Sequence, residues 1–495
     1  MALFHQKDHL SREDLLRGER ALIESAAFSQ VFGSLTGGAF LAAFALALGA
    51  SNLVIGIMAA VGPLSQILQI PTIYLVERVG GRKALVFIPK ILGRLFWVLI
   101  ALTPLLLPRP WHIPIFLTCL VLYFSLGAIS DCAFNSWMRD AIPEKYMGRF
   151  TAKSMGVATT VGAVITLAAG FGLEELRSLW PSATGPYSIL FLVGAAAGLL
   201  GVFPILRVPE PRSLKLGAEG LVARLREPLK EANFRSVLIF SATWNFAISM
   251  AGAFYAVYLI KSLGLSMPFI VSLSVGSKVA NVACLKAWGR MADRAGSRRT
   301  LSIAGPPFIL CIFLLPFTTL PEQHIMTIPL LVIIYVLSGI STAGVTVSAG
   351  NLALKTAPRG RATAYLAVNS LISGLAAACA PVLGGWLADF FARREFSVLI
   401  DFSGGPESFR VLALSLRELD FVFFLSGFVG IYALHRLTLI KEPTVEIADE
   451  DRPGTLNREV PRTYSDVPAV AGVSQMGDFP YARLKRTAEP PPDGR

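Results

Sequence analysis

Twelve apolar runs, most of them about 18 to 25 residues long, constrain this chain more than any other feature of its sequence. A helix rises about 1.5 Å per residue, so runs of that length cross a hydrocarbon core of about 30 Å. Inside that core every backbone N–H and C=O must find its partner within the protein, which leaves helices or a closed barrel. The period-two alternation of a barrel is absent, so the runs are read as helices. Composition agrees: 54% hydrophobic and 16% charged residues over 495 positions is too apolar for soluble domains of this size. The expected fold class is an all-α polytopic membrane protein. Its spans fall near 24–48, 52–76, 84–106, 113–138, 150–173, 186–207, 234–260, 267–290, 300–318, 326–348, 360–390 and 418–438.

The connections carry the organisation. A polar, amphipathic lead over 1–23 precedes the first run, and its Lys7, Arg12, Arg17 and Arg20 do not fit a cleavable signal peptide. The stretch 208–233, with Pro209, Pro211 and Pro228 among its bases, is the natural linker between a first unit (24–207) and a second (234–438). An insertion at 391–417 contains two alternating runs, Phe396–Phe402 and Phe409–Leu416, around Gly404-Gly405, which predict a β-hairpin or interfacial flap. The segment 439–495, rich in proline and charge, is expected to be a disordered tail. The net charge of +12 does not point to nucleic acid, because the bases concentrate in the tails and in alternate connections. That asymmetry predicts a multi-pass protein of the plasma (cell inner) membrane with both termini in the cytoplasm.

The two units repeat one plan. Glu77-Arg78-Val-Gly80-Gly81-Arg82-Lys83 recurs 216 positions later as Asp293-Arg294-Ala-Gly296-Ser-Arg298-Arg299. Gly38-Ala-Phe40 matches Gly252-Ala-Phe254, and Leu48-Gly-Ala-Ser51 matches Leu263-Gly-Leu-Ser266. Asn135 to Arg139, followed by Gly148-Arg149, has its counterpart in Asn351 to Lys355, followed by Gly360-Arg361. Each half is therefore a six-span unit. In the charged turns the glycines permit a tight reversal, and the trailing bases suit water and anionic headgroups.

These residues carry a resemblance. Gly289 to Arg299 reads Gly-x-x-x-Asp-Arg-x-Gly-x-Arg-Arg, which resembles the hallmark of the major facilitator superfamily at every defined position; the first copy lacks the leading Gly and has Glu77 for Asp. The resemblance, covering about residues 20 to 440, implies two pseudo-symmetric six-helix bundles that rock about a central site. It also implies latches on the cytoplasmic side. Glu77 would meet Arg139 and the segment from Gly360, while Asp293 would meet Lys355 and the start of span five. A topogenic charge cluster without a gating role is the alternative. Ala380-Pro381-Val-Leu-Gly384-Gly385 is similar to an antiporter signature of the family but stands in span eleven rather than span five, and close helix packing explains it as well.

Ionisable groups inside spans are costly and so are candidates for function. Asp131 is the one carboxylate well inside a predicted span, open to a reading as a proton-coupling acid or as a partner for a buried base. Lys90 and Arg94 stand on one face of span three, and Arg94 is read as a structural partner of Asp131 or Glu24 ahead of a substrate ligand. Lys278, in span eight, is read either as an anion contact or as a snorkelling base. Gln30, Gln66, Gln69, Asn135, Trp244, Asn245, Asn281 and Asn369 are the neutral polar candidates near the expected cavity. The five cysteines all fall in apolar runs and no histidine is mid-span, so neither disulfides nor a metal site is expected. No phosphate-cradling Gly-x-x-x-x-Gly-Lys loop occurs, and no nucleophile-and-base cluster suggests an enzyme or a cofactor. The reading is a monomeric secondary transporter of a small molecule, with a slight tilt to an anionic or amphipathic one and with protons as the candidate coupling ion. A transporter-shaped sensor or scaffold is the alternative.

Overall fold

The computed structural model describes residues 6–7, 12–79, 81–141, 144–180, 182–211, 226–319, 325–358, 362–404 and 407–442. The tail from 443 and the middle of the linker, 212–225, lie outside the described residues. Among the described residues twelve helical spans stand in two bundles of six, as the sequence predicts. Among those residues ten are long and apolar enough to cross a membrane by length and composition alone. The others are span two, which runs Asn52–Ser65, Gln66–Leu68 and Gln69–Val79 with a 3-10 turn in the middle, and span nine, Ser297–Leu314, which opens on Arg298-Arg299.

Local chemistry sets the breaks. Span one is helical over Arg12–Thr36 and again over Gly38–Ala47, with Gly37 between the two pieces and Gly38, at φ 55°, opening the second. The helix that begins at Arg12 runs through Glu24 unbroken, so the amphipathic lead and span one share one rod. Span seven repeats the break, as Ala232–Gly252 and Tyr255–Lys261. The matched tetrapeptides after them turn in the same way: Gly49 at φ 87° and Gly264 at φ 61° take left-handed conformations that close a helix C-terminus without a Cβ clash. Ser51 then caps span two by accepting from Val54 N (3.3 Å).

Within the first bundle span three (Arg82–Leu106) packs along span four (His112–Ala141), and span one packs on spans five (Glu144–Leu179) and six (Gly185–Leu200). In the second, span eight (Met267–Ala295) packs on span ten (Thr327–Thr356), and span seven on spans eleven (Ala362–Phe391) and twelve (Leu419–Thr438). Aromatic edges tie each core: Phe44 against Phe191 at 4.9 Å, Trp97 against Phe191 at 5.3 Å, Phe234 against Tyr365 at 4.7 Å. Between the bundles the broadest contact joins span two to span eleven, followed by span five to span eight.

The insertion forms the expected hairpin. The short pair β1 (Gln6–Lys7) and β2 (Glu210–Pro211) comes first in the chain, and the insertion supplies β3 (Glu395–Gly404) and β4 (Glu407–Arg417), paired antiparallel.

Candidate functional site

The bundles meet on one face. At the end of the helices away from the linker, hereafter the far face, Asp389 near the end of span eleven accepts from Asn52 N (3.1 Å) and Leu53 N (2.9 Å), the first two residues of span two. A carboxylate there satisfies two of the donors a helix N-terminus leaves open and sits at its positive end. Asn52 Nδ2 donates to Glu418 Oε1 (2.7 Å), and Glu418 also pairs with Lys261 at the end of span seven. Spans two, seven, eleven and twelve are thus tied at one point. The backbones approach as closely as glycine allows: a Cβ at Gly56 would run into the carbonyl of Pro381, and one at Gly385 into that of Asn52. Gly170 of span five likewise faces Val271 and Pro268 of span eight. This is what Pro381 and Gly384-Gly385 do here, in keeping with the packing reading of that motif.

On the linker face the described contacts stay within each bundle, and they repeat. After span six, Glu210 accepts from Arg82 N (2.7 Å) at the start of span three. After span twelve, Glu442 accepts from Ser297 N (2.9 Å) and Arg298 N (2.8 Å) at the start of span nine. Arg82 and Arg298 are the matched bases of the two charged turns. Their guanidinium groups also turn back to carbonyls, Arg82 to Ser136 (3.0 Å) and Pro211 (3.1 Å), Arg298 to Thr438 (2.7 Å). Lys83 reaches Leu206 O (2.9 Å). Gly296, at φ 87° and ψ 158°, holds a conformation open in practice only to glycine, and Glu442 lies where a Cβ would point.

The expected Asp293–Lys355 contact is not made here. Lys355 pairs with Glu442 at 3.3 Å, and Asp293 is exposed with no partner among the described residues. The physical reason is that Lys355 is already held by Glu442, whose carboxylate also takes the two N–H groups at the start of span nine. Gly289 is buried, and Arg78, Arg294 and Arg299 are exposed. The side chains of Glu77 and Arg139, and Gly80 and Gly360, lie outside the described residues, and Gly148 lies in the first turns of the span-five helix.

Inside the spans, the side chains of Asp131, Asn135 and Lys278 are not covered by the rest of the protein; Asp131 and Lys278 make no direct hydrogen bond or ion pair among the described residues, and the charges of Lys90 and Arg94 lie close enough to act on Asp131. Arg94 makes no direct hydrogen bond or ion pair with either expected carboxylate, although its charge and that of Asp131 lie close enough to act on one another. It is buried, stacks its guanidinium 3.4 Å from the centre of the Phe32 ring and donates to Tyr123 OH (3.3 Å), while Glu24 pairs with Arg207 at 3.2 Å. Desolvated contacts of that kind contribute about 2 kcal/mol. Lys90 stands 4.8 Å from the Phe134 ring. Gln69 donates to Gln66, Asn281 to Gly339 O (3.2 Å) and Asn245 to Ser241 O of its own helix (2.8 Å). Gln30 packs against Gly162 of span five. Trp244 is turned away from the expected cavity, buried between Phe240 and Phe308 in the second bundle. Asn369 Oδ1 and, one turn on, Ser373 Oγ are buried without a hydrogen-bond partner.

Sequence reasoning passed over Asp389, Glu418, Glu210 and Glu442. The last two stand 232 positions apart rather than the 212 to 216 of the other anchors because the 391–417 insertion intervenes. Aligning the halves from the ends of spans six and twelve would have exposed the pair.

Two six-helix bundles, repeated charged turns at one end and a cross-bundle closure at the other define a two-bundle membrane carrier architecture. The chain belongs to the Major Facilitator Superfamily: the model of that family matches residues 25–326 and 279–456. No curated protein matches the sequence. Among solved structures it resembles the nucleoside transporter NupG (TM-score 0.62, 12% identity, 85% of this chain and 98% of that one). It also resembles a bacterial homologue of the human lysosomal transporter Spinster, inward-facing and occupied (0.58, 14%, 87% and 97%). A third likeness is to a bacterial homologue of the iron transporter ferroportin, inward-facing (0.58, 14%, 87% and 99%). At such identities the likeness establishes the fold.

Proposed function

We propose that this chain is a secondary active transporter that carries a small molecule by alternating access, here in a state closed on the far face and open toward the linker. The observation that carries the reading is the one-sided closure. The hydrogen bonds between described residues that cross the bundles converge on Asn52 and Leu53, while the charged turns of the linker face bond within their own bundles. A carrier has to exchange such a set for its counterpart on each cycle. Lys355 then leaves Glu442 for Asp293 as the linker face closes. On that reading Asp293→Asn cuts transport while leaving insertion intact, and an unchanged transport rate removes the latch.

The linker face is cytoplasmic in this proposal, as the bases of the connections favour, and the membrane is the plasma membrane. Asp131, which makes no direct hydrogen bond or ion pair among the described residues and has the charges of Lys90 and Arg94 nearby, takes up a proton on one side and releases it on the other. Lys278, and Asn369 with its unbonded oxygen, are the candidate substrate contacts, which keeps the tilt toward an anionic or amphipathic solute. Uptake and efflux profiling of wild type against Asp131→Asn in proteoliposomes tests both parts. Proton coupling predicts a wild-type rate that follows an imposed proton gradient and a mutant rate that does not. A wild-type rate indifferent to the gradient removes the coupling role.

A further inference from the structure

The hairpin has a property its sequence alternation alone does not reveal. The register pairs Phe396 with Leu416, Val398 with Leu414, Ile400 with Val411, and Phe402 with Phe409. The apolar positions of β4 change parity between Val411 and Leu414, which in a regular strand would place them on opposite faces. The register shift at Val398/Leu399 leaves Ala413 as the extra residue and cancels that change. All eight apolar positions then share one face of the ladder. The other face takes Glu395 opposite Arg417, Ser397 opposite Ser415, Asp401 opposite Arg410 and Ser403 opposite Ser408, with Leu399 and Leu412 as its apolar pair. Glu395 bonds both Arg417 (2.9 Å) and Ser415 (2.6 Å).

A two-stranded sheet with one apolar face is marginal in water unless something covers that face. Beyond its own pairing, the hairpin's main packing partner is the start of span twelve, and Phe396 and Val398 are exposed. Its root is built as a membrane boundary. Trp386 stacks on Phe390 (5.7 Å) and Phe391 on Phe421 (4.1 Å), with Trp386 and Phe390 exposed to the surroundings of spans eleven and twelve. Arg394 lies 3.7 Å from the centre of the Phe390 ring and bonds its carbonyl, and Arg393 precedes it. Aromatic rings beside bases mark headgroup depth. The exposed apolar stripe of the two spans, Phe428, Leu425, Trp386 and Phe390, runs toward the hairpin's base. The free edges of both strands carry backbone N–H and C=O groups that need water, which bars the hairpin from the hydrocarbon itself.

We propose that the 395–417 hairpin is a membrane-surface anchor. Its apolar face rests on the headgroup layer of the far-face leaflet, its polar face stays in water apart from Ser415, which is buried at the root, and a reach of about 3.3 Å per residue takes it well beyond the helix ends. The partner is the lipid surface, whatever the chain transports.

The test places an environment-sensitive fluorophore on single cysteines of a chain freed of Cys119, Cys132, Cys284, Cys311 and Cys379, reconstituted in phosphatidylcholine vesicles. Probes at Val398→Cys and Phe402→Cys are expected to be quenched by nitroxide lipids labelled near the headgroup. Probes at Ser397→Cys and Ser403→Cys are expected to be quenched by iodide in the water instead. Equal behaviour of the two pairs overturns the proposal. So does lipid protection that grows with protein density together with cross-linking between chains through position 398, since a second copy is then the cover. Hydrogen exchange on the unmodified protein needs no substitution: peptides spanning 395–417 should exchange about tenfold more slowly in phosphatidylcholine nanodiscs than in amphipol. Identical rates in the two overturn the anchor.

Discussion

Asp389→Asn isolates the far-face closure, because the side chain keeps its size and one acceptor oxygen while losing its charge and the second acceptor. Wild-type Asp389 takes one bond from Asn52 N and one from Leu53 N at the start of span two. Hydrogen bonds to a charged group contribute about 1.5–3 kcal/mol each. A negative charge at a helix N-terminus adds about 0.3–1 kcal/mol, rising to about 2 in partly buried sites. When the bundles part at this face, water replaces some of what is lost, so the net penalty to the closed state is about 1–3 kcal/mol. On the alternating-access proposal these contacts exist in one state only, so the whole difference enters the equilibrium between states, about 5- to 150-fold toward far-face opening. Spin labels at Leu107→Cys and Ile325→Cys, exposed at the far ends of spans three and ten, report the separation of the bundles there. In Asp389→Asn the longer distance should gain population by that factor. A distribution that does not move, or that moves equally in a Glu395→Gln control, refutes the reasoning.

Other perturbations address the remaining contacts. Gly56→Ala puts a methyl into the carbonyl of Pro381, so it should block far-face closure and abolish transport with membrane insertion unchanged; a transport rate near wild type in proteoliposomes refutes the close approach as a requirement. Gly296→Ala forces a Cβ into a glycine-only conformation and against Glu442, which should cost about 1–3 kcal/mol and lower the thermal midpoint, whereas Gly81→Ala, with open space around it, should cost less. Glu442→Gln weakens the caps on Ser297 and Arg298 and releases Lys355; if Lys355 exchanges partners during the cycle, this variant should favour linker-face closure, read as slower labelling of a cysteine at position 135 from that face. Glu395 has its carboxyl held below the ordinary glutamate range by its bonds to Ser415 and Arg417. A depressed value means the contribution to the hairpin is present above the unfolded-state value and is lost as pH falls through the lowered one. Exchange of the 395–417 amides, corrected for intrinsic rate, should therefore stay constant from neutrality down to the ordinary range of a glutamate and rise only below it. A rise between pH 7 and 5 contradicts that assignment.

What the sequence disclosed and what it withheld divide along a physical line. Run length and the matched turns revealed twelve spans and the duplication, because hydrocarbon thickness and glycine-only backbone angles are local constraints: Gly49, Gly264 and Gly296 adopt positive φ whatever lies around them. The rotation of a helix about its axis is not local. In a soluble helix an apolar stripe reveals it, but span seven scatters Ser236, Ser241, Thr243 and Ser249 around its axis, so nothing in its pattern told Trp244, which faces Phe240 and Phe308, from a cavity residue. Pairings that change with state are less legible still. Asp293 and Glu442 are both acids that the sequence could offer to Lys355, and only the folded chain shows that Lys355 is with Glu442. Asp389 fails for a third reason: a carboxylate one turn from a helix end looks like an interfacial residue in water, and its meaning appears only when the N-terminus of span two, 337 positions earlier, arrives beside it. The hairpin lies between these cases. Its alternation is plain in the sequence, yet the parity change from Val411 to Leu414 makes the two strands appear mismatched until the extra residue at Ala413 is placed. The bulge then converts a mismatch of pattern into one continuous apolar face, and that face, set on a belt of Trp386, Phe390 and Phe391, has the lipid surface as its neighbour on the anchor reading.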